Sequence, residues 1–585
     1  MSSIGKITKN LEKKYLFFTA LCPVVMIGEV VLETMIPFLM SRIIDTGVAL
    51  HDMQYVLRVG VCMVCCSAVS MCCGMLGARF GAVASQGVSH NLRRRLFSKV
   101  QSFSFANIDT FSTASLVTRL TTDVNNVQNV YRLIIQICFR APFMLIAGTV
   151  MAFFVNARLA LVFCISIPVL AAVIAFVSVK SYTRFSVMLE KYDRLNTIVQ
   201  ENLIAIRVVK SFVRGEHECE KFSAAADEVR RSQQNAEKLI VGIAPAMQLM
   251  IYATIVAVLW FGGKMVVLGS MQSGELVSFI SYVSQILMSL MMIAMIFVNI
   301  VLSRASVRRI CEVFDEVPDI VSPQNPVMEV ADGSVEFKDV CFSYKKSGGN
   351  YALDSVSLKI APGQTVGIIG GTGSSKTTLV SLISRLYDVT SGAVLVGGKD
   401  VRDYSLEVLR KNSAVVLQKN ILFSGTIKEN LKWGDENASD EEIAAACRAA
   451  DAEDFIRSFP EQYETVLGQG GVNVSGGQKQ RLCIARALLR KPKILILDDS
   501  TSAVDTATEK RIRDALCEYL PETTKIIIAQ RIASVKDADC IFVLEDGKIV
   551  GRGTHEELLK NNAIYREVSD SQQTMGDADI EIERG

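Results

Sequence analysis

Apolar and polar positions divide the 585-residue chain into two halves of different character. Long apolar runs fill the first half, and a helix needs about 20 mostly apolar residues to cross a bilayer. The second half alternates short apolar strands, glycine turns and helical segments, as α/β proteins do. The pattern predicts a membrane α-helical domain of six helices followed by an α/β domain. The six runs are 15–40, 55–76, 134–155, 159–179, 240–267 and 276–302.

The spacing of these runs predicts the topology. The first, third and fifth loops are short, whereas the second and fourth loops are long, polar and helical in period. Basic residues are retained on the cytoplasmic side of a membrane. We therefore expect the long loops and both termini in the cytoplasm, and we favour a solvated helix face over lipid-headgroup recognition for these basic residues. They are Arg93, Arg94, Arg95, Lys99, Arg184, Lys191, Arg194, Arg207, Lys210 and Arg214.

Composition narrows the function classes. The 62 basic and 60 acidic residues nearly cancel, so the net charge of +2 gives no reason to expect a nucleic-acid partner. The first apolar run is too long for a secretory signal and predicts a retained membrane anchor. Five of the fifteen cysteines share one apolar run, where we expect small buried hydrophobic side chains rather than disulfides or a zinc site. They are Cys62, Cys65, Cys66, Cys72 and Cys73.

Three ionisable residues interrupt the apolar runs, where a charge is costly unless something compensates it. Glu29 and Glu33 are four residues apart on one helix face, and Arg140 lies in the third run. Two interpretations stay open: the glutamates line a cavity that favours cationic amphiphiles, or one of them pairs with Arg140 or lies near water. The last run also carries a methionine-rich stretch, which suits varied apolar ligands or ordinary helix packing. It comprises Met288, Met291, Met292, Met295 and Phe297.

The stretch TVGIIGGTGSSKTTLV passes from a strand through a glycine turn into a helix. That context predicts a phosphate-binding loop whose backbone N–H groups, from Gly371 to Thr377, point at an anion. Lys376 would reach the outer phosphates, and the Thr377 hydroxyl would bind Mg²⁺. Ser375 stands where the motif normally has glycine before the lysine, and we expect it to be tolerated in a helical backbone conformation. A tight structural turn is the competing interpretation, which the strand–loop–helix context disfavours.

Two later strands end in candidate catalytic groups. ILILDD ends a buried strand at Asp498, which suits Mg²⁺ binding through water, and Asp499 can act as a general base toward water. Asp is one methylene shorter than Glu, and a displacement of about 1 Å can reduce a rate about a hundredfold. IIIAQR ends at Gln530, whose amide donates a hydrogen bond but takes up no proton near neutral pH. The SAVD segment, 502–505, follows Asp499 closely.

At this point the chain resembles a half-transporter of the ABC exporter superfamily. Tyr344 in CFSYKK is similar to the aromatic residue that stacks on adenine, and Gln418 in VVLQKN to the glutamine that senses Mg²⁺ and the γ-phosphate. TVLGQGG, from Thr465, resembles the loop that contacts the membrane helices, and VSGGQKQR, from Val474, resembles the signature motif. SFSFANIDTF, 102–111, and ENLIAIRVVKSF, 201–212, resemble the loop tips that transmit closure of the ATPase domains.

The resemblance implies a transmembrane domain over 1–320 and a nucleotide-binding domain over 330–570. The acidic and polar composition after Tyr565 predicts a disordered tail over 571–585. It also implies ATP and Mg²⁺ as cofactors. The resemblance assigns catalysis to Asp499 and Gln530, and the metal to Thr377, Gln418 and Asp498. The nucleotide-binding residues that it implies are Tyr344, Gly371, Thr372, Gly373, Ser374, Ser375, Lys376, Thr377, Thr378, Gln418, Ser475, Gly476, Gly477 and Gln478.

Family members close two nucleotide domains head to tail, so each ATP lies between the phosphate loop of one chain and the signature motif of the other. Because Asp499 and Gln530 replace Glu and His at the two chemical positions, the resemblance implies a degenerate site here. It further implies a second, non-identical half-transporter as partner in the cell membrane, and export of small amphiphilic compounds or drugs. The alternatives are a slow homodimeric transporter of lipid or peptide and, far less favoured, an ATP-gated channel.

Overall fold

The computed structural model describes residues 3–344, 350–499 and 505–572. Residues 571 and 572 of the predicted disordered tail, 571–585, are helical in the structure. The rest of that tail, from residue 573 onward, and residues 502–504 of the SAVD segment lie outside this description. The chain divides into two compact units. Unit one comprises Met1–Gln101 and Thr113–Glu316, and unit two comprises Ser102–Ser112 and Val317–Gly585. Residues 102–112, from the middle of the first long loop, thus belong to the second unit.

The regular secondary structure described for unit one consists of helices joined by short turns. Six of its helical segments are long and apolar enough to cross a membrane, which confirms the predicted six-helix domain. These segments are Lys13–Val48, Met53–Gln101, Thr113–Val155, Ala157–Val177, Pro245–Val267 and Ser273–Asp315. Ten of the first eleven α-helices belong to unit one, and α4 belongs to unit two. The eleven helices are α1 (Ser3–Thr8), α2 (Lys13–Arg42), α3 (Met53–Gln101), α4 (Phe105–Thr110), α5 (Thr113–Thr118), α6 (Val124–Val155), α7 (Ala157–Ile204), α8 (Ile206–Ser211), α9 (Gly215–Val241), α10 (Ile243–Val267) and α11 (Ser273–Asp315).

The long helices continue well past the apolar runs, as the helical period of the loops predicts. Helix α3 has 49 residues, equivalent to about 74 Å at a rise of about 1.5 Å per residue. No proline interrupts it, so its hydrogen-bond ladder continues from the apolar run into the polar loop. Short π-helical turns, Ile43–Val48 and Arg119–Asp123, follow α2 and precede α6.

Buried polar pairs connect the helices of unit one. The hydroxyl of Tyr282, which is fully buried, donates to the carbonyl of Thr34 at 2.9 Å. Asp123, also fully buried, accepts hydrogen bonds from the guanidinium of Arg309, and the guanidinium of Arg119 donates to the Arg309 carbonyl at 2.7 Å. Because a buried charge is costly without partners, these contacts fix α6 and its π-helical turn against α11.

Arg140 pairs with both intramembrane glutamates. Its Nη2 lies 2.9 Å from Glu33 Oε1 and 3.3 Å from Glu29 Oε1, which joins α6 to α2. Glu29 is 8% exposed, so this carboxylate is removed from solvent. This confirms that Arg140 pairs with a glutamate, and extends the pairing from one glutamate to two.

The cysteine prediction was wrong about burial. Cys62, Cys65 and Cys72 are exposed on the surface of α3, because the apolar window of this helix is largely not covered by the rest of the chain. All fifteen cysteines of the described chain are free thiols. Among the described residues no group of three or more His, Cys, Asp or Glu is placed to hold a metal ion.

The described residues of unit two form three β-sheets. The strands are β1 (Val335–Phe342), β2 (Leu353–Ile360), β3 (Thr365–Ile369), β4 (Ser391–Val396), β5 (Lys399–Asp400), β6 (Ser413–Val416), β7 (Gly425–Thr426), β8 (Val466–Leu467), β9 (Ile494–Asp498), β10 (Thr524–Ile528), β11 (Cys540–Glu545) and β12 (Lys548–Gly553). The six-stranded sheet has the order β12-β11-β3-β10-β9-β6, the four-stranded sheet β2-β1-β4-β5, and β7 pairs with β8. This α/β architecture confirms the second half of the predicted fold class.

Besides α4, the α-helices described in unit two are α12 (Lys376–Ile383), α13 (Leu406–Asn412), α14 (Ile427–Leu431), α15 (Asp440–Ala449), α16 (Glu453–Ser458), α17 (Gly476–Leu489), α18 (Thr506–Tyr519) and α19 (His555–Asn561). Several of these helices, among them α13, α17 and α19, pack against the six-stranded sheet. Every residue of β9 and β10 is buried, because both faces of these central strands are covered. Two apolar cores result: one includes Leu495 and Leu497 on one face of β9, and the other includes Ile494 and Ile496 on the opposite face.

Candidate functional site

Four neighbouring parallel strands end at one edge of the six-stranded sheet. Strand β10 runs parallel to β3 on one side and to β9 on the other, and β6 runs parallel to β9. Parallel strands present their carboxyl ends at the same edge, which is where ligands bind in such sheets. The glycine loop follows β3, Asp498 ends β9, and Gln418 and Gln530 follow β6 and β10 within two residues. The fold thus brings these predicted residues to one edge.

The glycine loop is open to solvent and leads into α12. Residues 371–373 are exposed, and a side chain added at Gly371 or Gly373 would meet nothing within 4 Å. Gly373 has φ +86°, a left-handed conformation that glycine adopts without steric cost. The Lys376 ammonium donates to the carbonyls of Gly370 and Gly371, each at 2.8 Å. The loop therefore leaves space for an anion beside a helix N-terminus and a lysine, as phosphate groups require.

Ser375 departs from the expected conformation. It has φ +69° and ψ +26°, so it is left-handed rather than right-handed helical. A β-carbon in this region costs about 1–2 kcal/mol, which explains why glycine normally stands here. The loop still forms, with Ser375 as the N-cap of α12. Ser375 therefore occupies this position with backbone strain, instead of the unstrained helical conformation that the sequence predicts.

Asp498 and Thr377 place two oxygen atoms side by side. The Thr377 hydroxyl donates to Asp498 Oδ1 at 3.1 Å, and Asp498 is 2% exposed. Burial raises the pKa of the Asp498 carboxyl, while the Thr377 hydrogen bond lowers it. Hydroxyl and carboxylate oxygens are the ligands that Mg²⁺ prefers, and protein sites commonly supply only one or two of them. This pair fits the predicted magnesium site.

Asp499 lies between two side-chain amides. Its Oδ2 accepts a hydrogen bond from Gln530 Nε2 at 2.9 Å and another from Gln418 Nε2 at 3.3 Å. Its backbone is left-handed, with φ +47°, and its N–H donates to the carbonyl of Ile528 at 3.0 Å. Burial raises the pKa of the Asp499 carboxyl, and the Gln418 hydrogen bond and the Lys376 charge oppose that shift. Three residues singled out from different parts of the sequence thus meet around one carboxylate.

Lys376 supplies a positive charge close to the two carboxylates at this sheet edge. Burial lowers the pKa of its ammonium group, and the carboxylates of Asp499 and Asp498 act in the opposite direction. A lysine that already hydrogen-bonds two backbone carbonyls keeps its position without a ligand. The edge therefore combines a cation and two carboxylates with the exposed backbone of residues 371–373, an arrangement suited to a metal-bound polyphosphate.

An aromatic cluster surrounds Tyr344. Its ring packs edge-on against Tyr387, with centroids 5.3 Å apart, and its hydroxyl lies 2.9 Å from that of Thr378. The Tyr387 hydroxyl donates to Asp109 Oδ2 at 2.7 Å, within the segment 102–112 that belongs to unit two. Tyr344, Tyr387 and Asp109 line a cavity of about 700 Å³. Tyr387 was missed at the sequence level; the only signal was an aromatic residue shortly after α12, in RLYD.

The signature-like residues start a different helix. Ser475 caps α17, where its hydroxyl accepts from the Gln478 N–H at 3.3 Å and the Gln478 side chain accepts from the Ser475 N–H at 2.9 Å. Ser475 and Gly476 are exposed, while Gly477 and Gln478 are half-buried. The reciprocal cap satisfies two of the free backbone donors at the start of this helix. The cap leaves Ser475 and Gly476 exposed at the start of the helix.

Comparison with known proteins agrees with this organisation. Residues 19–290 match the family model described as "ABC transporter transmembrane region", and residues 353–502 match "ABC transporter". Among curated relatives, the uncharacterised ABC transporter ATP-binding protein YfiB of Bacillus subtilis is 39% identical over 560 residues, which cover 96% of this chain and 97% of that protein.

A second relative and a solved structure extend the comparison. An ATP-dependent lipid A-core flippase of Syntrophus aciditrophicus is 32% identical over 494 residues, covering 84% of this chain and 82% of the relative. A bacterial Atm1-family ABC exporter with ATP bound superposes with a TM-score of 0.82 at 24% identity, covering 96% of this chain and 99% of that one, so it shares the fold. The chain belongs to the ABC transporter family, as an exporter-type protein with an N-terminal transmembrane domain and a C-terminal ABC ATPase domain.

Proposed function

We propose that this chain is one subunit of a heterodimeric exporter that moves amphiphilic compounds or drugs out across the cell membrane. In this proposal its own ATP site is degenerate, and its signature motif completes the competent site of a non-identical partner. The chain spans the membrane six times, with both termini and the ATPase domain in the cytoplasm. The observation that carries the proposal is the pair of glutamine amides on the short carboxylate of Asp499.

The binding function rests on the glycine loop and its neighbours. Its N–H groups and Lys376 would hold the phosphates, with the ring of Tyr344 against the adenine. Thr377, Asp498 and Gln418 would hold Mg²⁺, which supplies charge neutralisation for the phosphates. All of these groups are at or near one sheet edge and are unaffected by the two substitutions at the chemical positions. We therefore expect ATP to bind well.

The chemical step is the weak part of the site. A general base must lie within hydrogen-bond reach of the attacking water. Asp499 reaches one methylene less far than Glu, and its Oδ2 already accepts two amide hydrogen bonds. Gln530 can orient a phosphate oxygen but cannot exchange a proton near neutral pH. Both features slow hydrolysis without removing the ATP-binding groups.

The signature motif supports the crossed arrangement. Ser475 and Gln478 cap each other at the exposed start of α17, and the adjoining glycines carry no side chain that would block a phosphate. A helix N-terminus of this kind favours an anion. In a head-to-tail pair this surface would contact ATP held by the partner, so this chain would supply an intact half of the competent site.

A homodimeric lipid transporter is the second candidate. It is favoured by the 32% identity with a protein described as an ATP-dependent lipid A-core flippase. Two copies of this chain would then hydrolyse ATP slowly at two equivalent Asp499 sites. Turnover by the purified chain separates the two candidates.

The first prediction concerns the chain alone. The full-length chain in lipid nanodiscs should bind a fluorescent ATP analogue but hydrolyse ATP slowly, since its own carboxylate is short. Addition of a half-transporter with Glu and His at the positions of Asp499 and Gln530 should restore brisk hydrolysis. Lys376→Ala serves as a control that loses binding. Brisk hydrolysis by the chain alone would refute the heterodimer proposal.

The second prediction concerns Asp499→Glu. In the assembled pair, with the partner's own catalytic glutamate replaced by glutamine, this variant should raise residual hydrolysis, by up to about a hundredfold if a displacement of about 1 Å is the deficit. Asp499→Asn, which keeps the short side chain and removes the charge, should not. If the rate of Asp499→Glu equals that of the wild type, side-chain length does not limit this site, and Gln530→His becomes the next variant to measure.

The third prediction concerns the crossed site. Ser475→Ala should reduce hydrolysis at the partner's site and nearly abolish transport, because it removes a signature hydroxyl and a helix cap. The matched control is Ser439→Ala, since Ser439 caps α15 with the same reciprocal pattern. Each variant loses about 0.5–2 kcal/mol of capping stability. Equal activities of the two variants would show that Ser475 acts only as a cap.

The fourth prediction concerns the segment 102–112, which resembles a transmitting loop tip. Tyr387→Phe keeps the ring beside Tyr344 and removes the hydrogen bond to Asp109. ATP affinity should change less than about twofold, whereas the amount of substrate transported per ATP should fall about threefold to tenfold. A hydrogen bond to a charged acceptor contributes about 1.5–3 kcal/mol, and the exposure of Asp109 to solvent reduces that contribution. Asp109→Ala should have the same effect, and the two together should not be additive. If both variants transport as much substrate per ATP as the wild type, the Tyr387–Asp109 contact does not couple ATP hydrolysis to transport.

A further inference from the structure

The intramembrane cluster of Glu29, Glu33 and Arg140 carries an excess of negative charge. Two carboxylates share one guanidinium: Arg140 Nη2 donates to both oxygens of Glu33, at 2.9 and 3.0 Å, and lies 3.3 Å from Glu29 Oε1. With all three groups ionised, the cluster has a net charge of −1. The sequence of α11 from residue 276 to 303 contains no Asp, Glu, Lys or Arg, so this helix does not neutralise the cluster.

Three buried polar atoms around the cluster are left without hydrogen-bond partners among the described residues. They are Glu29 Oε2, Arg140 Nε and Gln285 Oε1. Glu29 is 8% exposed, so its second oxygen is almost completely removed from solvent. Gln285 belongs to the same neighbourhood, because its Nε2 donates to the carbonyl of Glu33 at 3.4 Å. A buried acceptor without a partner is costly, and two of these three atoms are acceptors. A ligand that brings positive charge would offset that cost.

An apolar surface continues from Gln285 along α11. Met288, Met292 and Met295 follow at three, seven and ten residues, which places them on the same side of the helix. Met288 is 51% exposed and Met295 is 56% exposed in this chain. Methionine side chains are flexible and polarisable, and adapt to apolar groups of varied shape. A negative cluster beside such a surface is complementary to a molecule that combines a positive charge with apolar bulk.

We propose that Glu29, Glu33 and Gln285, held by Arg140, form the charge-selecting part of the transport site, and that they select lipophilic organic cations. Arg140 pre-orients Glu33 and leaves the excess charge on the Glu29 side, where the unpartnered oxygen lies. The apolar part of the ligand contacts the methionine surface. This inference rests on the proposed function and deepens it, because it names the substrate class of the exporter.

Two ions of nearly equal size and opposite charge test the proposal. Full-length chain in lipid nanodiscs is titrated with radiolabelled tetraphenylphosphonium or tetraphenylborate, and binding to empty nanodiscs is subtracted. The wild type should bind the phosphonium in preference to the borate. Glu33→Gln and Glu29→Gln should each weaken phosphonium binding at least about tenfold, equivalent to about 1.4 kcal/mol, because the net charge of the cluster becomes zero. Glu275→Gln is the matched control, since glutamine still completes the cap at the start of α11.

Binding of the fluorescent ATP analogue reports whether each variant is folded. Glu33 is partly exposed and gives the safer substitution, should Glu29→Gln fail to fold. Equal phosphonium binding by wild type and Glu33→Gln, or no preference for the cation over the anion, would overturn the proposal and leave the cluster as a structural ion pair. That result would not touch the heterodimer proposal, which is decided by ATP turnover.

Discussion

The parallel register of β3, β10, β9 and β6 is the constraint on which the ATP site depends. Residues that are far apart in sequence meet only because these four strands end together. Complete burial of β9 and β10 holds that register, since a slip of one residue would turn buried side chains to the opposite face. Strand pairing therefore determines the position of the Asp499 backbone between the two glutamines. The length of the side chain at position 499 then determines how far its carboxylate extends.

Much of this organisation was predictable from the sequence. The six apolar runs are long enough to identify spans by length alone, and strand–glycine–helix punctuation located the phosphate loop. The sequence also predicted that Thr377, Asp498 and Asp499 lie close together, because residues that act on the same ligand must be neighbours in the fold. Such patterns involve residues that are close in sequence, or follow from the rule that parallel strands end at the same sheet edge. They can therefore be recognised from a single sequence.

The features that the sequence did not reveal depend on contacts between distant segments or on backbone conformation. A serine before the lysine does not disclose that its φ must be positive. The Tyr387–Asp109 hydrogen bond joins positions 278 residues apart. Cysteines in an apolar run look buried when only hydropathy is considered, although α3 leaves them on its surface. The pairing of Arg140 with both glutamates likewise needed the packing of α6 against α2.

The grouping of residues 102–112 with unit two has a mechanical consequence. Peptide bonds join this segment to α3 at one end and to α5 at the other, and neither junction contains an extended linker. A helix as long as α3 resists bending, so it behaves as a stiff rod rather than a flexible tether. The apolar run and the junction with segment 102–112 therefore belong to one continuous helix, Met53–Gln101.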